Sequence, residues 1–274
     1  MLNSLLVRLF GFNATLHHGD SLVWDRWRWL KRRLRRTCNN EALLDVGCGS
    51  GAFTIGMSLR GYRTLGLSWD ERNQKVAEQR ATLCGAKTAS FEICDVRELD
   101  QKPQFVNAFD FIICTENIEH VIDDFRLVAA MANCLKPGGR LFLTSPYLRR
   151  VPWSSMDYGP FPDVEFGPHV RCGYNRTMIK QLCDHAGLTI EEIDFISGPI
   201  SQGNAWLLDK LGKIHPVFGW AVTLPLRPLP PLLDPLLTRI FGVTPFCIGV
   251  EACKPRIPAV TRNVLATPSH AAAA

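Results

Sequence analysis

Three glycines at alternate positions lie where a short apolar run gives way to a helix-compatible pattern. The run is residues 42–46; Gly47, Gly49 and Gly51 follow it, ahead of the pattern AFTIGMSLRGY. Such a turn leaves the backbone open, because no side chain stands where a ligand must approach. The order of strand, glycine turn and helix predicts an α/β sheet with a ligand site at the carboxyl end of its first strand.

The same alternation of strand and helix patterns continues along the chain. Further strand patterns are RTLGLSW, ASFEIC, FDFIICT, RLFLTS, LTIEEIDFIS and FCIGVEACKP. Strands that alternate with helices form parallel sheets covered on both faces. We therefore predict an α/β fold, a Rossmann-like doubly wound sheet of seven mostly parallel strands with helices on both faces. Pro137-Gly138-Gly139 predicts a turn that starts the fifth strand at Arg140.

Composition excludes several other classes of protein. Hydrophobic residues make up 46% of the 274 residues and charged residues 21%, so wholly disordered and coiled-coil classes are excluded. The net charge of +5 is too small to indicate a nucleic-acid partner. Ten cysteines without a CxxC pair indicate reduced thiols in a cytoplasmic protein rather than a zinc site. We expect neither a cleaved signal nor a membrane span, because charges or prolines interrupt the apolar stretches.

The motifs LLDVGCGSGAF, LGLSWD, CDVREL, FDFIICTENIEH and LKPGGRLFLTSP resemble, in this order, those of class I S-adenosylmethionine-dependent methyltransferases. The resemblance covers roughly residues 40–150 and is of the small-molecule type, similar to ubiquinone- and menaquinone-pathway methyltransferases. It implies S-adenosylmethionine as cofactor and in-line methyl transfer to a small acceptor. A nicotinamide-dependent oxidoreductase is disfavoured, because the glycine spacing is G-x-G-x-G and not G-x-G-x-x-G. A membrane-associated scaffold that binds the cofactor without transferring methyl is the alternative.

The resemblance also assigns cofactor-binding residues. It implies that the amino-acid part of the cofactor is bound by Asp45, Gly47, Gly49 and Gly51. Asp95 and Val96, after the third strand, would bracket the adenine. The family's acidic residue at the end of the second strand is replaced here by Ser68, with Asp70 two places later. Either of these two residues is a candidate for the ribose contact, and Asp70 is also in a common helix N-cap position.

The E-x-x-E-H group beyond the fourth strand supplies the candidate catalytic residues. Its members Glu116, Glu119 and His120 can position the cofactor, act as a base, or hold the divalent metal associated with this group in ubiquinone-pathway O-methyltransferases. His169 is a further candidate base in a loop. We assign Glu116 to the cofactor site and Glu119, His120 and His169 to catalysis, without a metal.

The chain divides into parts around this motif-bearing region. Residues 1–40 are a basic and aromatic helical segment, and residues 41–260 are the methyltransferase domain. The domain contains a substrate-side loop at 148–176 and an apolar insertion at 198–244, and residues 261–274 are predicted to be a disordered tail.

Two amphipathic segments favour contact with a membrane surface. Residues 24–36 combine three tryptophans with seven basic residues, although a helix that packs its tryptophans on the sheet would have the same sequence. Residues 198–244 must bury their apolar side chains on the domain, a second subunit, a lipid surface or an apolar substrate. The prolines within 224–237 predict that this stretch is not one helix. We expect a cytoplasmic protein with peripheral membrane contact through both segments, and make no prediction of its oligomeric state.

Overall fold

The computed structural model describes residues 7–8, 11–17, 20–150, 159–165 and 167–256. Its helices and strands follow in the order α1 (Phe12–His17), α2 (Ser21–Arg33), β1 (Ala42–Val46), α3 (Ala52–Ser58), β2 (Arg63–Ser68), α4 (Glu71–Cys84), β3 (Ala89–Ile93), β4 (Phe109–Thr115), α5 (Asp124–Cys134), β5 (Leu135–Pro146), α6 (Arg176–His185), β6 (Thr189–Ile196), α7 (Pro199–Ile214), α8 (Pro216–Thr223), α9 (Leu229–Phe241) and β7 (Cys247–Cys253). Short 3-10 helices lie at Val96–Gln101, Pro103–Phe105, Ile118–His120 and Leu224–Leu226.

The strands form one seven-stranded sheet in the order β3-β2-β1-β4-β5-β7-β6. β7 runs antiparallel to both of its neighbours, and the other strand pairs are parallel. The predicted fold class is therefore confirmed. The strand order changes direction between β1 and β4, and open α/β sheets bind ligands in the crevice outside such a point.

Apolar cores cover both faces of the sheet. One core joins β1, β4, β5 and β7 to α5 and α6. On the opposite face, a second core packs α2 and α3 against the sheet. All five residues of β1 are buried, as expected for a central strand with helices on either side.

Helix α2 carries the tryptophan-rich basic segment, and it packs its tryptophans on the sheet. The Asp20 carboxylate caps the helix by accepting from the backbone N–H of Val23. Trp27 stacks on Phe53 in the core, and the buried Trp29 donates its indole N–H to Asp194 of β6 at 2.7 Å. An interfacial role for these two tryptophans is therefore wrong. The aromatic face of the segment holds the helix on the sheet, and the basic residues that remain exposed are Lys31, Arg32, Arg35 and Arg36.

The fifth strand begins earlier than the sequence predicts. β5 starts at Leu135, which pairs with Phe109, so Pro137, Gly138 and Gly139 lie inside the strand and not before it. The pairing of β4 with β5 shifts register between Phe109 and Phe111, and this irregularity accommodates the extra residues.

Residues 198–244 fold into α7, α8 and α9, with a 3-10 turn before α9. Residues 224–237 are not one helix, as predicted: a 3-10 turn at Leu224–Leu226 precedes α9, which begins at Leu229. Pro230 and Pro231 lie in the first turn of α9, where backbone N–H groups have no partner within the helix in any case. Pro235 alone stands inside the helix, and α9 continues past it to Phe241.

A buried carboxylate ties α9 to the start of α7. Gly198, the N-cap of α7, has no side chain that could cap the helix. Asp234 of α9 accepts hydrogen bonds from the backbone N–H groups of Gly198, Ile200 and Ser201, at 2.6 to 3.2 Å. The side chain of one helix therefore satisfies the free donors of the other.

The segment between β5 and α6 runs without helix or strand through its described residues, apart from a bridge between Tyr147 and Tyr174. Its residues 159–165 and 167–175 return toward the end of β4, where Val170 donates its backbone N–H to the carbonyl oxygen of Glu119 at 2.9 Å. Among the described residues, no helix combines the length and the hydropathy that a membrane crossing requires.

Candidate functional site

The carboxyl edge of the sheet gathers the predicted site residues from four neighbouring strands. The glycine turn follows β1, Ser68 ends β2, Asp95 follows β3 and Glu116 follows β4. These strands adjoin one another in the sheet, on both sides of the switch point between β1 and β4. One crevice can therefore reach all of them.

The three glycines of the turn have left-handed backbone angles, with φ of +81°, +52° and +79°. A Cβ on Gly47 would stand 2.6 Å from Asn117, and a Cβ on Gly51 would stand 2.8 Å from Phe91. Packing within the protein therefore requires glycine at those two positions. A Cβ on Gly49 would meet no atom within 4 Å, so this glycine borders open space that a ligand can occupy.

Asp45 is buried directly beneath this turn. Its Oδ2 accepts from the hydroxyl of Thr54 at 2.6 Å, whereas its Oδ1 is buried without a hydrogen-bond partner. Burial raises the pKa of Asp45 from 3.8 to about 7, against the opposing effect of the Thr54 hydrogen bonds. The residue thus has one oxygen that makes no hydrogen bond within the protein.

The raised pKa of Asp45 makes the stability of the ligand-free protein fall as pH rises. Between pH 3.8 and about 7 the folded state keeps a proton that the unfolded chain releases. Each pH unit in this window costs about 1.4 kcal/mol, so the loss approaches ~4 kcal/mol above pH 7. Asp45→Asn keeps an acceptor for Thr54 and carries no charge. We therefore expect its gain in stability over the parent protein to be large at pH 8 and much smaller at pH 5.

Urea unfolding of both proteins at the two pH values measures this difference, and subtracting one protein from the other cancels the remaining titrating groups. A stability gap between Asp45→Asn and the parent that is equal at pH 5 and pH 8 would contradict the buried, protonated carboxyl.

The two candidates for the ribose contact, at the end of β2, differ in the hydrogen bonds that their side chains already make. Asp70 is the N-cap of α4 and accepts from the backbone N–H of Arg72 at 2.8 Å. Ser68 is buried, and its hydroxyl oxygen accepts from the backbone N–H of Asp70 at 3.3 Å. The hydroxyl hydrogen of Ser68 is left to donate elsewhere. Trp69 lies between the two residues and is 70% exposed at the carboxyl edge.

The end of β3 is held by an ion-pair chain. The Asp95 carboxylate accepts from the backbone N–H of Arg97 and pairs with its guanidinium, and these hydrogen bonds lower the pKa of Asp95. Arg97 also contacts Glu165 at 2.7 Å, which joins the loop of residues 159–165 to this strand end. Val96 is buried in the core.

The end of β4 places a charged pair in the crevice wall. Glu116 has a left-handed φ of +50°, an uncommon angle for a non-glycine residue. Its carboxylate lies 3.3 Å from the guanidinium of Arg26 on α2 and accepts from the hydroxyl of Thr144 at 3.2 Å. The thiol of Cys247 lies 3.4 Å from the same carboxylate.

Glu119 is a second carboxyl group close to Glu116 and is fully buried. Its Oε2 accepts from the hydroxyl of Ser145 at 3.0 Å, and its Oε1 is buried without a partner. Burial, followed by repulsion from the charge of Glu116, raises the pKa of Glu119 well above its usual range. Glu116 is paired to Arg26, whereas Glu119 favours its protonated form.

His120 and His169 meet beside this carboxyl group. Their ring centroids are 4.6 Å apart in an edge-to-face contact, and Nδ1 of His120 lies 3.2 Å from the carbonyl oxygen of Pro168. Ligand atoms of Glu119, His120 and His169 all lie within 4.8 Å of one another. Such a group can relay a proton, and it could also hold a cation. Its two histidines come from segments 49 residues apart that the sequence alone could not place together.

Three residues of the crevice were not predicted from the sequence. Arg26 lies within the basic run of residues 24–36, and its contact with Glu116 spans 90 positions. Asn117 packs against Gly47, although its type and position carry no recognisable signal. Trp69 could have been found, because a tryptophan directly after a strand of a predicted ligand site is a candidate stacking surface.

A family model described as a methyltransferase domain matches residues 21–193, more than half of the chain. The chain belongs to this methyltransferase-domain family. The resemblance read from the glycine turn and the strand-end motifs is thereby confirmed. The prediction of S-adenosylmethionine as the cofactor is confirmed with it.

A relative with a curated description is the ubiquinone biosynthesis O-methyltransferase of Marinobacter nauticus, which is 35% identical over 102 residues. That alignment covers 37% of this chain and 42% of the relative. The ubiquinone biosynthesis O-methyltransferase of Dechloromonas aromatica is 36% identical over 116 residues, which are 42% of this chain and 48% of the relative. The chain thus matches about half or less of the length of these methyltransferases.

Solved structures share the fold at low sequence identity. Phosphoethanolamine N-methyltransferase 2 of Haemonchus contortus, in complex with S-adenosyl-L-methionine, has a TM-score of 0.59 at 18% identity and covers 93% of this chain and 60% of its own. The [4+2]-cyclase SpnF has a TM-score of 0.58 at 19% identity, and the alignment covers 84% of this chain and 81% of the cyclase. Because a cyclase shares the architecture of this methyltransferase-domain chain, the fold does not fix the reaction.

Proposed function

We propose that this protein is an S-adenosylmethionine-dependent methyltransferase acting on a small, apolar acceptor such as a quinone, a lipid or a secondary metabolite. The observation that carries the proposal is the open space at Gly49, in a turn that also holds the unpartnered Oδ1 of Asp45 at the switch point of the sheet. A side chain at this position would stand in the crevice, and glycine leaves that space open to a ligand. The alternative, a scaffold that binds the cofactor without transfer, has no feature of its own in its favour.

The residues present fit this cofactor. The glycine turn and Asp45 would hold its amino-acid part, and the Ser68 hydroxyl would hold its ribose, because the Asp70 carboxylate already caps α4. Asp95 and Val96 would bracket the adenine, for which the exposed ring of Trp69 offers a further stacking face. Glu116, fixed by Arg26, would set the charge of the crevice wall beside the turn.

The cofactor supplies an electrophilic methyl group on a sulfonium. Displacement at such a methyl needs an acceptor atom held in line at about 3 Å and kept from water. The chain's contribution is therefore to orient the acceptor and to cover the crevice. The loop segment 167–175 would cover it, and its hydrogen bond from Val170 to Glu119 supports this role.

His120 is the proposed base for an acceptor that must lose a proton. With Nδ1 donating to the carbonyl oxygen of Pro168, its Nε2 is left to accept. His169 packs on the ring of His120 and limits its rotation. Glu119, favouring the protonated form, can donate a hydrogen bond from its unpartnered oxygen while Ser145 holds the other. We keep the assignment of these three residues to catalysis without a metal.

We also propose that the protein contacts a membrane surface peripherally, through residues 198–244 and the basic residues of 24–36. Exposed apolar side chains on α8 and α9 support this location, as does the absence of acidic residues other than Asp234 between positions 210 and 246. An acceptor that is itself lipid-soluble would then be available where the protein docks.

Calorimetry and labelled methyl transfer test the proposed activity together. We expect the purified protein to bind S-adenosylmethionine and to transfer a labelled methyl group into the lipid-soluble fraction of a cell extract, identified by untargeted mass spectrometry. Binding with no transfer to any fraction would favour the scaffold. Absence of binding would overturn the proposal, and label only in polar metabolites would overturn the apolar acceptor.

A further inference from the structure

Three successive loop residues contact the group that carries the proposed base. Pro168 offers its carbonyl oxygen to Nδ1 of His120 at 3.2 Å, and His169 packs its ring on the same imidazole. Val170 donates its backbone N–H to the carbonyl oxygen of Glu119 at 2.9 Å. The position of these three loop residues therefore decides how the imidazole of His120 is oriented.

The next loop residue, Arg171, binds the chain just beyond His120. Its guanidinium pairs with the buried carboxylate of Asp124. The same guanidinium donates to the carbonyl oxygens of Val121 and Ile122, each at 2.7 Å. Both carbonyl groups lie outside any helix or strand, so the arginine takes the place of regular backbone pairing there. One loop side chain therefore fixes the backbone that follows the proposed base.

The carboxylate that pairs with Arg171 is held in turn by a residue fixed to the sheet. The hydroxyl of the buried Tyr174 donates to Oδ2 of Asp124 at 2.6 Å. The backbone N–H of Tyr174 donates to the carbonyl oxygen of Pro146, the last residue of β5, at 2.9 Å. The guanidinium of Arg171 lies over the Tyr174 ring, 5.5 Å from its centroid. The arginine is therefore anchored to the end of a central strand.

A second ion pair ties the loop down at residues 159–165. The carboxylate of Glu165 accepts from the backbone N–H of Ile122 and pairs with Arg97 at 2.7 Å. Loop side chains thus take both polar backbone groups of Ile122, its N–H through Glu165 and its carbonyl through Arg171. Of these two ties, the arginine is the one that adjoins the residues in contact with the proposed base.

We infer that Arg171 is a positioning residue for the proposed base, His120. The inference rests on the proposed methyltransferase activity and adds a residue to it. By tying the loop to the backbone after His120, the guanidinium holds the Pro168 carbonyl against Nδ1, which leaves Nε2 to accept a proton. The planar fork of arginine reaches one carboxylate and two carbonyl oxygens at once. Lysine, which carries a compact point charge, cannot reproduce that fork.

A double-mutant cycle between Arg171 and His120, measured as single-turnover methyl transfer, tests this role. We expect Arg171→Lys to lower the rate by about tenfold to a hundredfold, because a small displacement of a reacting group has effects of this size. In the His120→Gln background the same substitution should change the rate less than about twofold, because the base that it positions is already absent. Equal losses in both backgrounds would show a merely structural role and overturn the inference.

A second variant and a matched control guard against a general loss of structure. Arg171→Met combined with Asp124→Asn leaves neither charge unpaired and keeps an acceptor for the Tyr174 hydroxyl, and we expect a similar loss of rate. Arg126 makes a forked ion pair with Asp100 at 2.8 and 3.0 Å, outside the loop, so Arg126→Lys should transfer at the parent rate. A fully active double variant, or an equal loss in Arg126→Lys, would overturn the inference.

Nitrogen NMR of labelled histidines tests the orientation of His120 without any activity. At mildly alkaline pH we expect the parent protein to show the His120 tautomer with its proton on Nδ1, and Arg171→Lys to lose this preference. An unchanged tautomer in Arg171→Lys would overturn the inference, whatever the rates. A parent protein that has the tautomer, loses it in Arg171→Lys and methylates nothing would overturn the proposed activity and leave the positioning role standing.

Discussion

Gly49→Val should reduce the affinity for S-adenosylmethionine by at least about a hundredfold, since a steric overlap with a bound ligand easily exceeds 2.7 kcal/mol. The physical reason is the open space at this glycine, where a Cβ meets no atom of the protein within 4 Å. A branched side chain would fill the volume that we assign to the cofactor. Titration calorimetry measures the affinity, and circular dichroism checks that the variant is folded.

The backbone strain of the substitution needs its own control, because Gly49 has a φ of +52° that valine rarely adopts. Gly85, which ends α4, has a φ of +69° and likewise no atom within 4 Å of an added Cβ. Gly85→Val therefore carries a similar strain far from the crevice, and we expect it to bind the cofactor normally. Unchanged cofactor affinity in folded Gly49→Val would remove the basis of the proposed activity.

His120→Gln should lower the rate of methyl transfer by about 10² to 10⁴, which is the usual contribution of a positioned general base. Glutamine can still donate to the carbonyl oxygen of Pro168 but cannot accept a proton at neutral pH. Cofactor affinity should stay within a few fold of the parent value, because His120 is not among the residues assigned to cofactor binding. Single-turnover transfer to the identified acceptor measures the rate.

His185→Gln is the matched control for that substitution, since His185 is exposed on α6 and outside the crevice. We expect it to transfer at the parent rate. A fully active His120→Gln would exclude the base role. Chelator-treated parent protein that transfers only after a divalent cation is restored would instead show that Glu119, His120 and His169 hold a metal.

The parts of the structure that could be predicted depend on local sequence patterns. The glycine turn, the strands and their alternation with helices each lie within a few neighbouring residues, and the sheet follows from them by general rules of connection. The helix that contains Pro235 shows where such patterns are incomplete. The prolines correctly predict that residues 224–237 are not one helix, but they do not predict that α9 continues past Pro235, where Asp234 hydrogen-bonds to the start of α7.

The parts that could not be predicted depend on contacts between distant positions. Arg26 reaches Glu116, and Trp29 reaches Asp194, only after α2 has packed across the sheet. The sequence likewise assigns one role to all three glycines of the turn. Only the folded chain separates Gly47 and Gly51, which are needed for internal packing, from Gly49, which borders the crevice.

The hydrogen bonds of Asp234 make the helices of the excursion between β6 and β7, α7 to α9, depend on one another for stability. The carboxylate that seats the last helix also completes the first, so removing α9 alone leaves the N–H groups of Gly198, Ile200 and Ser201 without an acceptor. Trimming the excursion helix by helix should therefore destabilise what remains. The same excursion is tied to α2, because Ser201 and Asn204 of α7 hydrogen-bond to Asp25 and Ser21 of that helix. An exchange of α7, α8 and α9 as one unit must therefore keep these contacts, since α2 also supplies the Arg26 that pairs with Glu116 in the crevice.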